Sequence, residues 1–184
     1  MLKYFFVIFT ITASSVASQE QDRYETSTLF QKGTWTVTIT YDNVDQDFWC
    51  AASTSNRQNQ EFDLTFFESG QYTIYVFDNN WNISPRPIRF LIDVDYSRWE
   101  MEGQGNGVSI SITPANSDNA AKFTREVMEG NALALMNADG RRLGTFSLNG
   151  SYAAVLKLLE CYERISQRDP FSDIDPFRGA DDPF

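Results

Sequence analysis

The chain has 184 residues, with 15 Lys and Arg against 25 Asp and Glu, no histidine, and a formal net charge of −10. Acidity on this scale repels phosphate backbones, which argues against nucleic acid as a partner, and it offers no basic stripe for anionic lipid. Without histidine there is no Ser-His or Cys-His nucleophile system, no His-ligated zinc hydrolase and no histidine pH switch, so any catalysis must rest on carboxylates, tyrosines or a carboxylate-bound metal.

Residues 1–18 have the three-part layout of a secretory signal peptide. Lys3 supplies the basic start, Tyr4 to Ile11 the apolar run, and Ala13 to Ser18 the small residues, with cleavage expected after Ala17 or Ser18. The apolar run is about half the length of a membrane span, so no membrane insertion is expected. These features predict a secreted or periplasmic protein of one domain.

Residues 19–32 are polar and aperiodic and read as a loose leader. Strict alternation then begins behind Gly33: Trp35, Val37, Ile39 and Tyr41 point one way, and Thr34, Thr36, Thr38 and Thr40 the other, as in a half-buried strand. Phe48–Ala52 reads as a second strand, carrying Cys50 into the core. Glu61–Asp78 reads as a hairpin turning at Ser69-Gly70, with Phe62 opposite Phe77 and Leu64 opposite Tyr75. Ile88–Val94 and Trp99–Gln104 form another candidate hairpin, in a register that sets Val94 against Trp99 and Ile92 against Met101. A further alternating strand, Val108–Thr113, follows the Gly105–Gly107 turn.

After Pro114 the period changes. Ser117 or Asp118 can cap a short helix ending at Gly130, with Phe123 and Val127 inward. A hairpin is expected around Asp139-Gly140. Ser151 then opens a stronger helix with Ala154, Val155, Leu158, Leu159, Cys161, Tyr162 and Ile165 on one broad stripe. Residues 33–166 therefore predict a single mainly β (α+β) domain, an antiparallel β-sandwich or open barrel with two packed helices, one near the C-terminus.

Cys50 and Cys161 are the two cysteines of the chain. In an oxidising compartment they form one disulfide, pinning the second helix to the second strand; the alternative is two buried free thiols. Closing a loop of this length is worth about 4–5 kcal/mol in the chain-entropy picture.

Several groupings carry possible chemistry. Residues 167–184 read as a disordered acidic tail in which Asp-Pro-Phe occurs three times, ending at Phe171, Phe177 and Phe184. Repeated aromatic anchors on a flexible strand are the pattern of a multivalent peptide ligand for a protein partner; the alternatives are phenylalanines folded back on the domain, or a drifting end. The register taken for the Ile88–Gln104 hairpin sets Asp93 directly opposite Glu100. That like-charge pair must be relieved by Arg89 or Arg98, a cation, a shifted proton or water, and a carboxyl pair is also what glycoside hydrolysis needs. Trp81, among asparagines in the Asp78–Pro87 loop, is either a sugar-stacking platform or a loop residue packed on the core. Asp42, Asp45 and Asp47 crowd one loop without EF-hand spacing, so a turn is the reading and no metal or other cofactor is expected.

Four segments are similar to the invasion-associated locus B family of small β-rich bacterial periplasmic proteins. They are Thr34-Trp35-Thr36-Val37, Phe48-Trp49-Cys50-Ala51-Ala52, Phe90-Leu91-Ile92-Asp93 and Phe146-Ser147-Leu148-Asn149-Gly150-Ser151-Tyr152-Ala153-Ala154. The likeness runs in order through residues 33–162. It departs at the first alternating strand, where the family commonly carries a cysteine and this chain has threonine and isoleucine. The resemblance implies a cell-envelope role and carries over no catalytic residue. The expected function is a non-enzymatic secreted or periplasmic interaction protein. The alternative is a carboxylate-based glycan hydrolase or carbohydrate-binding module centred on Asp93, Glu100 and Trp81.

Overall fold

The computed structural model describes residues 23–167. The stretch read as a signal peptide, the start of the stretch read as a leader, and the tail with Phe171, Phe177 and Phe184 lie outside the described residues. Ten strands form one antiparallel sheet: β1 (Tyr24–Lys32), β2 (Trp35–Asp42), β3 (Phe48–Ser55), β4 (Gln60–Phe67), β5 (Tyr72–Asp78), β6 (Ile83–Val94), β7 (Ser97–Gly107), β8 (Ser109–Ile112), β9 (Ala132–Asn137) and β10 (Arg142–Ser147). Helix α1 (Ser117–Glu129) connects β8 to β9, and α2 (Ser151–Ser166) follows β10. The spatial order is β1-β2-β3-β4-β5-β8-β7-β6-β9-β10. The expected mainly β architecture with two helices is therefore the observed one, as an open sheet.

The sheet coils so that its far end returns over its beginning. The Trp35 indole N–H in β2 donates to the Ser147 carbonyl in β10 at 3.2 Å. Gln60 in β4 completes the junction: its amide donates to Asp78 at 2.8 Å and to the Leu143 carbonyl at 3.2 Å, while Asn56 donates to its oxygen at 2.7 Å. Burial opposes ionisation of Asp78, but the bonds from Gln60 and Asn80 outweigh it and hold the carboxyl below its ordinary range. At Gly144 in β10 there is no room for a side chain, because an added Cβ would run into the Gln60 amide.

Inside the coil lie Trp35, Val37, Phe62, Leu64, Ile74, Val76, Ile92, Leu133 and Phe146, all buried. α1 contributes Phe123 and Val127 to this core, α2 contributes Val155 and Leu158, and Phe123 packs edge-on against both Phe62 and Trp99. Cys50 and Cys161 form the expected disulfide across a sequence separation of 111, tying α2 to β3. Asn116, one residue before the expected cap, accepts the Asp118 and Asn119 amides at the start of α1. Ser151 is the first residue of α2, behind Gly150 in the left-handed region, and its hydroxyl donates to the Met128 carbonyl.

Three expectations are corrected. The stretch read as a loose leader contains the edge strand β1. It is mostly exposed, and a bulge between Thr28 and Phe30 breaks the alternation that would have revealed it. The β4–β5 turn closes at Phe67 and Gln71, so Phe62 faces Val76 and Leu64 faces Ile74. That one-residue difference sends Ile74 and Val76 inward and Tyr75 and Phe77 outward. The β6–β7 hairpin has a two-residue turn at Asp95-Tyr96, with Asp95 at φ +48°, so Val94 pairs with Ser97 and Ile92 with Trp99. Asp95 is held there by its carboxylate, which accepts the Asn131 and Ala132 amides and is kept below its ordinary pKa by them.

Candidate functional site

The carboxyl pair expected at Asp93 and Glu100 does not form. In the observed register Asp93 lies opposite Arg98 and takes two hydrogen bonds from its guanidinium at 2.8 Å, while Glu100 lies opposite Leu91. The guanidinium holds the Asp93 carboxyl below its ordinary range. Trp81 is half-buried and packs against the core. Asp42 is buried, accepts the Val44 and Asp45 amides of its own turn, and is bonded to Arg23 at 2.7 Å, which lowers its pKa to about 2. Among the described residues no group of three or more acidic, Cys or His side chains is placed to hold a metal ion, and no helix is long and apolar enough to cross a membrane.

Two surface features replace the expected constellation. The first is an apolar groove of ≈ 850 Å³ between α1, α2 and the β4–β5 turn. α1 has two working faces. Phe123 and Val127 fill the core, while Ala120, Ala121, Thr124 and Met128, at helical spacing, form one wall of the groove. Tyr152 and Leu159 of α2 form part of the opposite wall, and Phe66 and Tyr72 also line it. Tyr152, Leu156 and Leu159 are 56%, 42% and 37% exposed, an i, i+4, i+7 stripe that the described residues leave partly uncovered. The Tyr72 hydroxyl shares a hydrogen bond with Thr124 at 2.9 Å, and burial pushes its pKa up. Arg125 and Glu129 are the charged residues of the lining.

The second is a polar cleft of ≈ 440 Å³ on the outer face of β2, β3 and β4. Alternation fixes its contents: with Trp35, Val37, Cys50, Ala52, Phe62 and Leu64 inward, Thr36, Thr38, Trp49, Ala51, Ser53, Glu61 and Asp63 must face out. Thr36, Ser53, Asp63 and Tyr75 form one row across four strands, since Thr36 pairs with Ser53, Ser53 with Asp63 and Asp63 with Tyr75. Ala51 is small enough to leave a hollow between Trp49 at one end and the carboxyls at the other.

Asp63 is the anomaly of this face. It is only 9% exposed, and its Oδ1 has no hydrogen-bond partner. Burial raises its pKa well above the ordinary range, Glu61 adds like-charge repulsion, and a hydrogen bond from Ser53 opposes the rise. Glu61 and Asp63, two residues apart on the outer face of β4, are carboxyl neighbours. The structure thus contains a carboxyl pair, but on β4. Its sequence signal was Glu61-Phe62-Asp63, two acids one strand period apart around an apolar residue. The groove had no comparable signal, because its walls come from segments far apart in the chain.

Comparison with protein-family models, with curated proteins and with solved structures finds no match to this chain.

Proposed function

We propose that this chain is a non-enzymatic interaction protein of the periplasm or extracellular space, and that its docking surface is the groove between α1 and α2. The single observation carrying this reading is the partly uncovered stripe of Tyr152, Leu156 and Leu159 beside that groove, since contiguous exposed apolar surface marks an interaction site. Export is supported by the signal-peptide layout of residues 1–18 and by the disulfide, a bond that persists in oxidising compartments. The similarity of the four segments to the invasion-associated locus B family supports a cell-envelope setting.

The occupant is the chain's own Asp-Pro-Phe tail. A phenylalanine ring suits the apolar walls, and Arg125 provides a charge partner for the aspartate two residues before it. The tail leaves from α2, which is itself one wall. From Gln167 back to Leu159 is about 12 Å along the helix, whereas the 17 residues after Gln167 span up to about 55–60 Å when extended. One repeat thus reaches the groove with chain to spare, leaving the other two for a partner and multiplying weak contacts by linkage.

Amide NMR spectra of the mature chain and of a version ending at Arg168 test this directly. Tail docking predicts shifts at Ala121, Thr124, Met128, Tyr152 and Leu159 on truncation, reversed by adding a synthetic peptide of residues 169–184. Superimposable spectra at those positions would refute it.

A further inference from the structure

The outer face of β2–β4 has no part in the groove, yet it has the composition of a recognition site. Six hydroxyl side chains line the cleft (Thr34, Thr36, Thr38, Ser53, Thr54 and Ser55), with the Trp49 indole and the Glu61–Asp63 pair. Trp49 and Ser53 are four residues apart on β3, so the cleft runs about 13 Å along the strand, the span of a short oligosaccharide. Hydroxyls both donate and accept, as sugar hydroxyls do, and an indole offers an apolar plane to a sugar ring. No lysine or arginine lines the cleft, and the whole chain is strongly acidic, which disfavours an anionic ligand.

Asp63 supplies the independent indication. A buried polar oxygen without a partner is a standing cost to the fold, and a native structure seldom keeps one without a use. Oδ1 of Asp63 is such an atom, and Asp63 lines this cleft. We propose that the cleft binds a neutral saccharide, one ring lying against Trp49 and one ring hydroxyl donating to Asp63 Oδ1. Oδ1 is closed to solvent in the free protein, so binding requires the side chains around it to give way. Binding rather than cleavage is proposed because Asp63 is buried while Glu61 is exposed, whereas a glycosidase sets both carboxyls beside the scissile bond.

The test is tryptophan fluorescence titration and calorimetry of the mature protein with cellohexaose, laminarihexaose, maltohexaose and chitohexaose, each up to about 10 mM. The expected result is saturable binding of at least one, weakened about tenfold or more by Asp63→Leu, which removes the acceptor, and by Thr38→Val. Asp93→Asn, on a distant part of the sheet, should leave it unchanged. Thermal unfolding of each variant shows that the fold is intact. No binding of any of the four sugars would overturn the proposal, as would binding indifferent to both cleft variants. Binding that requires added calcium and is lost in Asp63→Asn would also overturn it, in favour of a cation site. Truncation of the tail alters none of these outcomes, so the result stands apart from the fate of the groove.

Discussion

Replacing Asp63 by asparagine should stabilise the protein, an unusual outcome for a buried position. The side chain keeps its size, while the ionisable group with an orphaned oxygen is replaced by a neutral amide. The amide keeps an oxygen in that place, so the gain comes from proton linkage, whose sign is known. The native pKa of Asp63 is raised by burial and by Glu61, so its contribution is fully present below the unfolded carboxyl pKa, near 3.9. That contribution is lost as pH rises toward the native value. Between those limits the native state holds a proton that the unfolded state lacks, and stability falls by about 1.4 kcal/mol per pH unit relative to asparagine. At pH 7 the variant should be the more stable, by roughly 2–4 °C in Tm for each kcal/mol gained. At pH 4 the gain should largely vanish. Urea unfolding at pH 4, 5.5 and 7 with the disulfide intact reads both quantities. If Asp63→Asn loses stability equally at all three pH values, the carboxyl is ionised and satisfied and the reasoning fails. A gain, together with lost sugar binding in Asp63→Leu, would mark Asp63 as a residue that costs stability in return for recognition.

Other outcomes follow from the same structure. Reducing Cys50–Cys161, or replacing both by alanine, should lower stability by about 4–5 kcal/mol in urea titration. Arg23→Ala should raise the Asp42 pKa from about 2 toward the ordinary range. The stabilisation from Asp42 is present above the unfolded pKa and lost as pH falls through the native one, so the variant should lose it at higher pH than the parent, measurable by carboxyl-carbon NMR titration. Gly144→Ala drives a methyl group into the Gln60 amide and should cost about 1–3 kcal/mol, with calorimetry showing a lower Tm. Asp93→Asn removes a partly exposed ion pair with Arg98 and should change stability by no more than about 1 kcal/mol; a larger loss in denaturant titration would mean the pair is structural.

The sequence by itself determined the mainly antiparallel fold, the two helices and their inward residues, and the disulfide. Each rests on a local signal: alternation through Trp35–Tyr41, the Phe123/Val127 spacing, the stripe that carries Cys161, and a single possible cysteine pair. Turn geometry lay beyond that reach. Whether β4–β5 closes at Phe67 or Glu68, and whether β6–β7 turns in two residues with Asp95 left-handed, depends on bonds to distant groups, such as the Asn131 and Ala132 amides held by Asp95. Because side chains alternate every residue, a one-residue change in pairing turned a face over in one hairpin; in the other, a two-residue change kept the faces but replaced Glu100 by Arg98 as the partner of Asp93. β1 was hidden because an exposed, bulged edge strand needs little apolar patterning of its own and takes its register from β2. The groove and the buried state of Asp63 were decided by tertiary packing alone, since exposure and hydrogen-bond satisfaction belong to the space around a residue and not to its neighbours in the chain.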